Sequence, residues 1–292
     1  MWNHLLNKLI SVLQLGTFDY STALRLQQKL VELRKEGSIG DVLLLLEHTP
    51  VITLGRNAKA ANVLASPEQL AKGGVEVFEC DRGGDVTFHG PGQLVCYPIF
   101  DLRGFSSGDG KRKTLGAVEF VRRLEEVLIR TCADFGIATK RVPGLTGVWA
   151  SPTKLGGSTR HVGTATPGGP VEPEAPSNNE SAKIAAIGVH ISRGVTSHGF
   201  ALNVNTDLDY FNLIIPCGIN SKPVTSVAKE LGNPLTLEEV ANSVSRNFGT
   251  VFNSQILWLE TLDALLGPSV GIPMKPPTEL RKLSKEEETF WA

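Results

Sequence analysis

Lys183-Ile-Ala-Ala-Ile-Gly-Val-His190, then Ser192-Arg-Gly194, then His198-Gly-Phe-Ala-Leu-Asn-Val-Asn205 read as a strand, a turn and a returning strand. The first run is small and β-branched, which suits a pleated, buried surface. The Gly-bearing break between the runs supplies the turn. Residues 152–180, just upstream, contain five prolines and five glycines, and the polar run Ser177-Asn-Asn-Glu-Ser181 closes them. Such a stretch buries too little apolar surface to offset its ordering entropy. It reads as a flexible insertion, because strands on both sides of it look like parts of one sheet.

Strands and helices alternate outward from this hairpin. Ile10 to Leu15 reads as a first strand. Ser21 is placed to cap a helix with the apolar stripe Ala23, Leu26, Leu30 and Leu33, ending near Gly37. Val42 to Leu46 is a continuous apolar run, so a buried strand, and Val51 to Leu54 is a second. Val75 to Cys80, Asp85 to His89 and Leu94 to Ile99 follow as strands separated by Gly and Pro. The longest helix is expected over Leu115 to Phe135. Its buried face would be Val118, Val121, Leu124, Leu128, Cys132 and Phe135, and Gly136 would stop it. Thr236-Leu-Glu-Glu239 is a capping box that opens a helix to about Phe252. The expected organisation is one catalytic domain over residues 1–266, with the insertion at 152–180 and a Pro-rich, then charged tail at 267–292.

The balance of 29 Lys and Arg against 30 Asp and Glu gives a net charge of −1, with no overall attraction to nucleic acid or an anionic membrane. No apolar run approaches the roughly 20 residues of a membrane-spanning helix. The N-terminus shows no secretory cleavage pattern and no Arg before Arg25, whereas transit peptides are usually Arg-rich. A cytoplasmic location is expected, with a mitochondrial one as the alternative. Cys80, Cys96, Cys132 and Cys217 form no CxxC pair, so no metal site is expected. The first three read as small buried hydrophobes.

Three separated segments carry chemistry: Arg82-Gly-Gly-Asp-Val-Thr-Phe-His89 running into Gly90-Pro-Gly-Gln93, Lys183, and Cys217 within Pro216-Cys-Gly218. A free cysteine has a pKa near 8.5, so only a few per cent is thiolate at neutral pH. An ammonium about 4 Å away is worth roughly 4 kcal/mol at an effective dielectric of 20. Lowering the thiol by two units needs only about 2.7 kcal/mol. A Lys183–Cys217 pair would therefore activate a nucleophile, although spacing alone also allows, and slightly favours, a surface lysine and a core cysteine that never meet. The glycine-rich stretch fits neither GxxxxGK[ST] nor GxGxxG opening a helix. It reads as the wall of an apolar tunnel, or as a plain hairpin. His89 alone reads as a structural histidine.

Further stretches accompany these: Glu47-His-Thr-Pro-Val-Ile-Thr-Leu-Gly-Arg56, Gly147-Val-Trp149 and Thr196-Ser-His-Gly-Phe-Ala-Leu-Asn-Val204, besides Lys183-Ile-Ala-Ala-Ile-Gly188 and Pro216-Cys-Gly-Ile219. Taken with Arg82 to Gln93 and in their order along the chain, these motifs span roughly residues 10 to 250, and the chain closely resembles the lipoyl(octanoyl) transferases of lipoate biosynthesis, also called lipoate–protein ligase B. Neither the insertion nor the tail touches a motif. The resemblance implies an α/β (α+β) fold, a mixed, largely antiparallel sheet flanked by helices, like the catalytic domain of biotin and lipoate protein ligases. It implies octanoyl-acyl carrier protein as donor. The implied acceptors are lipoyl domains of 2-oxoacid dehydrogenase complexes and the glycine cleavage H-type protein. It implies no cofactor, Cys217 as acyl-carrying nucleophile and Lys183 as the group that lowers its pKa and moves protons. Acyl-binding positions fall on Arg82, Gly83, Gly84, Asp85, Val86, Thr87, Phe88 and His89, on Ala186, Ile187 and Gly188, and on Gly199, Phe200 and Ala201.

Carrier proteins are typically acidic, so a local basic rim is expected, with Arg122, Arg123, Lys140, Arg141 and Arg193 as candidates. Three other readings remain at this point. They are an ATP-dependent lipoate or biotin-type ligase, a cysteine amidotransferase working between lipoyl-bearing proteins, and a noncatalytic acyl-carrier-binding module.

Overall fold

Arg193 and Gly194 both have positive φ, 52° and 85°, the backbone of a two-residue turn whose twist matches its flanking strands. They join β9 (Ala182–Ser192) to β10 (Val195–Asn203), whose register runs from Val195↔Ser192 to Leu202↔Ala185. A computed structural model describes this hairpin together with the rest of residues 8–108, 114–151, 181–216 and 222–266. The expected insertion at 152–180, the tail from 267 and Cys217 lie outside the described residues.

In chain order the remaining strands are β1 (Lys8–Phe18), β2 (Asp41–His48), β3 (Val51–Leu54), β4 (Glu76–Glu79), β5 (Val86–His89), β6 (Gln93–Ile99), β7 (Thr139–Val142), β8 (Leu145–Ala150) and β11 (Ser254–Trp258). The helices are α1 (Tyr20–Glu36), α2 (Pro67–Lys72), α3 (Ala117–Asp134), α4 (Val227–Leu231), α5 (Leu237–Phe252) and α6 (Leu262–Leu266). Eight strands form one sheet in the order β11-β1-β2-β6-β10-β9-β8-β7, and β4-β3-β5 form a second. In the large sheet only the pairs β1–β11 and β1–β2 are parallel. The fold is therefore the mixed, largely antiparallel α/β arrangement that the sequence resemblance implied. β8 and β9, on either side of the insertion, pair antiparallel.

β2 shows why the sheet is covered on both faces. Val42, Leu44 and Leu46 pack with Leu26 and Leu30 of α1, while Leu43 and Leu45 belong to the core shared with α3 and α5. A strand buried on both sides has no polar face, hence its unbroken apolar run. Beneath α3 and α5 the phenylalanines interlock, with Phe248 stacked on Phe252 and Phe200 and edge-on to Phe100.

Two local expectations are corrected. Asp19, not Ser21, caps α1: its Oδ1 accepts from Thr22 N–H at 2.8 Å, because Tyr20 is already helical and Ser21 lies inside the first turn. Val118 is 78% exposed. The inward face of α3 is Phe120, Leu124, Val127, Leu128 and Cys132; Val118 precedes Phe120 by two positions, about 200° around the helix. The Thr236–Glu239 capping box forms as read, with Thr236 accepting from Glu239 N–H and Glu239 accepting from Thr236 N–H.

Candidate active site

The glycine-rich loop is held by Arg82. Its buried guanidinium donates to Thr53 Oγ1 at 3.0 Å, Thr53 O at 2.7 Å, Asp85 O at 2.7 Å and Gly83 O at 3.0 Å. Arg82 thus stitches its own loop to β3. The Asp85 carboxylate accepts from Asn62 Nδ2 at 2.7 Å and from the backbone of Val86 and Lys59. Gly83 N–H donates to Val189 O at 3.1 Å, laying the loop across β9. A Cβ on Gly188 would sit 2.6 Å from Gly83 O, so that close backbone approach requires glycine.

Between this loop and the β9–β10 hairpin lies a narrow cleft with about 40 Å³ of free room, partly open to solvent. Ala186, Ile187, Gly188, Gly199, Phe200 and Ala201 line one side, and Arg82 to Asp85, Thr87 and His89 the other. Val86 and Phe88 do not line it. Alternation along β5 turns them to the opposite face, against Ile52, Phe211 and Ile214. The buried end of the cleft is formed by Tyr20, His89, Val95 and Tyr97. Tyr97 O–H donates to His48 Nε2 at 2.7 Å, and His48 Nδ1 donates to Phe18 O at 3.0 Å. Burial lowers His48 to about 4 and His89 to about 3. Both rings are therefore neutral at pH 7.

A second, much smaller pocket with about 10 Å³ of free room adjoins the cleft, the two sharing Thr87, Ala186 and Ala201 as walls. It is lined by Lys183, Gln93, Asn203 and Pro216. Lys183 is 8% exposed. Its N–H donates to Pro223 O at 2.8 Å and its carbonyl accepts from Thr225 N–H at 2.9 Å, so residues 223–225 run alongside the start of β9. Lys183 Nζ lies 5.1 Å from the centre of the Trp149 ring, and Lys222 Nζ lies 5.6 Å from the same ring. Gly147 leaves room for the lysine, since a Cβ there would sit 2.9 Å from Lys183 Cε. Pro216 and Lys222 are the described residues on either side of the segment that contains Cys217.

The lipoyl protein ligase A/B catalytic domain model matches residues 19–249. An octanoyltransferase of Koribacter versatilis is 57% identical over 279 residues, covering 96% of this chain and 98% of the relative. One from Acidobacterium capsulatum is 56% identical over 259 residues, covering 88% and 96%. The chain belongs to the octanoyltransferases of this family. The fold is shared with more distant proteins. A bi-partite lipoate protein ligase from Thermoplasma acidophilum superposes with a TM-score of 0.59 at 16% identity, covering 87% of each chain. A lipoate-protein ligase A bound with ATP gives 0.58 at 16% identity, covering 88% and 89%.

Within this octanoyltransferase some polar groups differ from expectation. Arg122 pairs with Glu125, Arg123 with Glu119, and Arg141 with Glu125 and Glu126. Three of the five candidate rim cations are thus spent on the acids of α3. Lys140 lies in β7 and Arg193 in the hairpin turn. Cys96 and Cys132 are buried, and burial pushes the Cys132 thiol up to about 12. Cys80 is only partly buried, its thiol donating to Leu54 O at 3.4 Å. Sequence reasoning missed a pair at the cleft: His198 Nε2 meets Asp81 Oδ1 at 2.7 Å. That hydrogen bond holds the Asp81 carboxyl down at about 2. His198 sits at φ 54° within β10, a strained backbone for a non-glycine residue. Only its place inside a quoted motif singled it out. Among the described residues no group of three or more His, Cys, Asp or Glu side chains is placed to hold a metal ion. None of the described helices is long and apolar enough to cross a membrane.

Proposed function

We propose that this enzyme moves an octanoyl group from acyl carrier protein to the lysine of a lipoyl domain, and that the group travels as a thioester on Cys217. One observation carries the reading. Lys183 and Pro216, the residue bonded to Cys217, line one small pocket, and that pocket adjoins the apolar cleft. The reading asks of this pocket a proton-carrying amine, which Lys183 supplies, and a neighbouring place for a fatty chain, which the cleft supplies.

In the first step the Cys217 thiolate attacks the donor's carbonyl carbon. The carrier-protein thiol leaves with a proton from Lys183. The acyl chain lies across Ala186 and Ala201, with its far end toward Tyr97 and Val95. In the second step the acceptor lysine attacks, Lys183 accepts the proton, an amide forms and the Cys217 thiolate is regenerated. A thioester arrives activated, so this sequence calls for no nucleotide. The basic contact with the carrier would draw on Lys140 and Arg193 rather than on the ion-paired arginines of α3. The cytoplasm, where thiols stay reduced, suits this chemistry.

Intact-mass spectrometry after mixing with octanoyl-acyl carrier protein tests the proposal. An octanoyl adduct that maps to Cys217, disappears in Cys217→Ser and discharges onto a lipoyl domain is the expected result. Transfer that proceeds undiminished in Cys217→Ser, or that requires ATP, would overturn it.

A further inference from the structure

The pocket around Lys183 holds two side-chain amides that use their hydrogens differently. Gln93 Nε2 donates to Phe88 O at 3.2 Å and to Asn203 Oδ1 at 2.9 Å, which spends both hydrogens. Gln93 Oε1 is taken by His89 Nδ1 at 2.7 Å. Asn203 Nδ2 donates to Thr225 O at 2.9 Å, which spends only one of its two hydrogens. Phe88 O and Thr225 O are backbone carbonyls and can only accept. The nitrogen and oxygen of each amide are therefore assigned without ambiguity. Asn203 is 5% exposed. It is held through its oxygen by Gln93 and through its nitrogen by the segment that runs alongside Lys183. The remaining N–H has no partner among the described residues, and Asn203 lines the same pocket as Lys183 and Pro216.

We propose that Asn203 Nδ2 is the side-chain hydrogen-bond donor to the thioester carbonyl oxygen as it becomes an oxyanion. The assignment rests on the thioester reading above and adds a catalytic residue to it. When the Cys217 sulfur bonds to the carbonyl carbon, the C=O π pair moves onto oxygen, and the fixed N–H meets the new charge. Collapse returns the pair to the C=O bond and breaks the carrier's C–S bond, the carrier thiolate taking a proton from Lys183. The same donor serves the second tetrahedral intermediate, in which the acceptor C–N bond forms and the bond to Cys217 breaks. A donor already locked by its neighbours needs no reorganisation when charge develops, which is why such groups act on the barrier rather than on substrate binding.

Asn203→Asp and Asn203→Ala test this. The aspartate keeps the shape of the side chain but loses the donor. The measurements are kcat and KM with octanoyl-acyl carrier protein, the thermal midpoint, and the rate ratio between the octanoyl thioester and its dithioester analogue, whose developing charge rests on sulfur. The expected result is a fall in kcat of about 10²–10³-fold, as for removal of one oxyanion donor, with little change in KM. The ratio should also fall well below that of the wild type. A kcat within threefold of wild type in the folded aspartate variant, or an unchanged ratio in either variant, overturns the proposal and leaves Asn203 a structural amide. A wild type that forms no octanoyl adduct on Cys217 overturns the reading beneath it as well. The adduct mass tells that failure apart from a failure of Asn203 alone.

Discussion

β10 presents two different surfaces within five residues. Phe200 and Leu202 join the core under α3 and α5, where Phe200 stacks on Phe248 with ring centres 6.2 Å apart. Gly199, Ala201 and Asn203 alternate with them: Ala201 lines both pockets and Asn203 the one around Lys183, while Phe200 reaches the cleft only at its border. One face is filled with large rings and the other is kept low by small side chains, so the same strand is rigid on one side and hollow on the other. The period of two along a strand makes this possible without a loop. The lesson is that the cleft is shaped by what its residues lack, while its position is fixed by the aromatic packing behind it.

The largest effects should separate the two faces. Lys183→Met, on the pocket side, should lower kcat by about 10²–10⁴-fold, the range for loss of a general acid–base, while the thermal midpoint holds. Steady-state rates beside a melting curve check both halves of that statement. Phe248→Ala, on the helix side, should do the reverse. It should cost about 3–5 kcal/mol of stability, as for other buried Phe truncations, read by urea unfolding, with little loss of kcat in the fraction that remains folded.

How much of this was legible from sequence follows the same division. The apolar run of β2, the hairpin turn and the Thr236 cap were readable because each is a local pattern. Val118 was misplaced because a helix face depends on where the helix begins, and Gly116, which caps α3, has no side chain to announce it. The family resemblance placed Gly188 and Gly199 among the acyl-binding positions. The structure shows that a Cβ at Gly188 would crowd Gly83 O and one at Gly199 would overlap Cys96 O, so backbone packing demands them first. The Gln93–Asn203 chain and the Asp81–His198 pair were not legible, since their members lie 110 and 117 residues apart. No periodicity links such positions.

A middle-sized effect concerns the buried end of the cleft. His48 and His89 stay neutral in the fold, at about 4 and about 3, whereas in the unfolded chain they take up protons below about 6.5. They contribute nothing above that value. Stability should fall as the pH drops from about 6.5 toward 4, and further toward 3, because the unfolded state binds protons that the native state excludes. Asp81, held at about 2 by His198, steepens the loss below about 4. Urea midpoints measured from pH 7 down to pH 4 check the slope, and His48→Gln should flatten it.

Smaller still is the effect of filling the hollow face. Ala201→Leu should cost about 1–3 kcal/mol from overpacking. It should also depress octanoyl transfer more than butanoyl transfer, which competition between the two acyl donors would measure. The smallest effect belongs to a region outside this comparison. Thr236→Ala should remove about 1 kcal/mol of stability and leave kcat unchanged, as seen by paired melting and rate measurements.

The most direct measurement is a crystal structure of the enzyme trapped after reaction with an octanoyl thioester. The expected density is continuous from Cys217 Sγ past Lys183 and Asn203, with eight carbons lying over Ala186 and Ala201 toward Tyr97. An acyl chain seated elsewhere, or a Cys217 sulfur separated from the Lys183 pocket with the cleft left empty, would contradict the account.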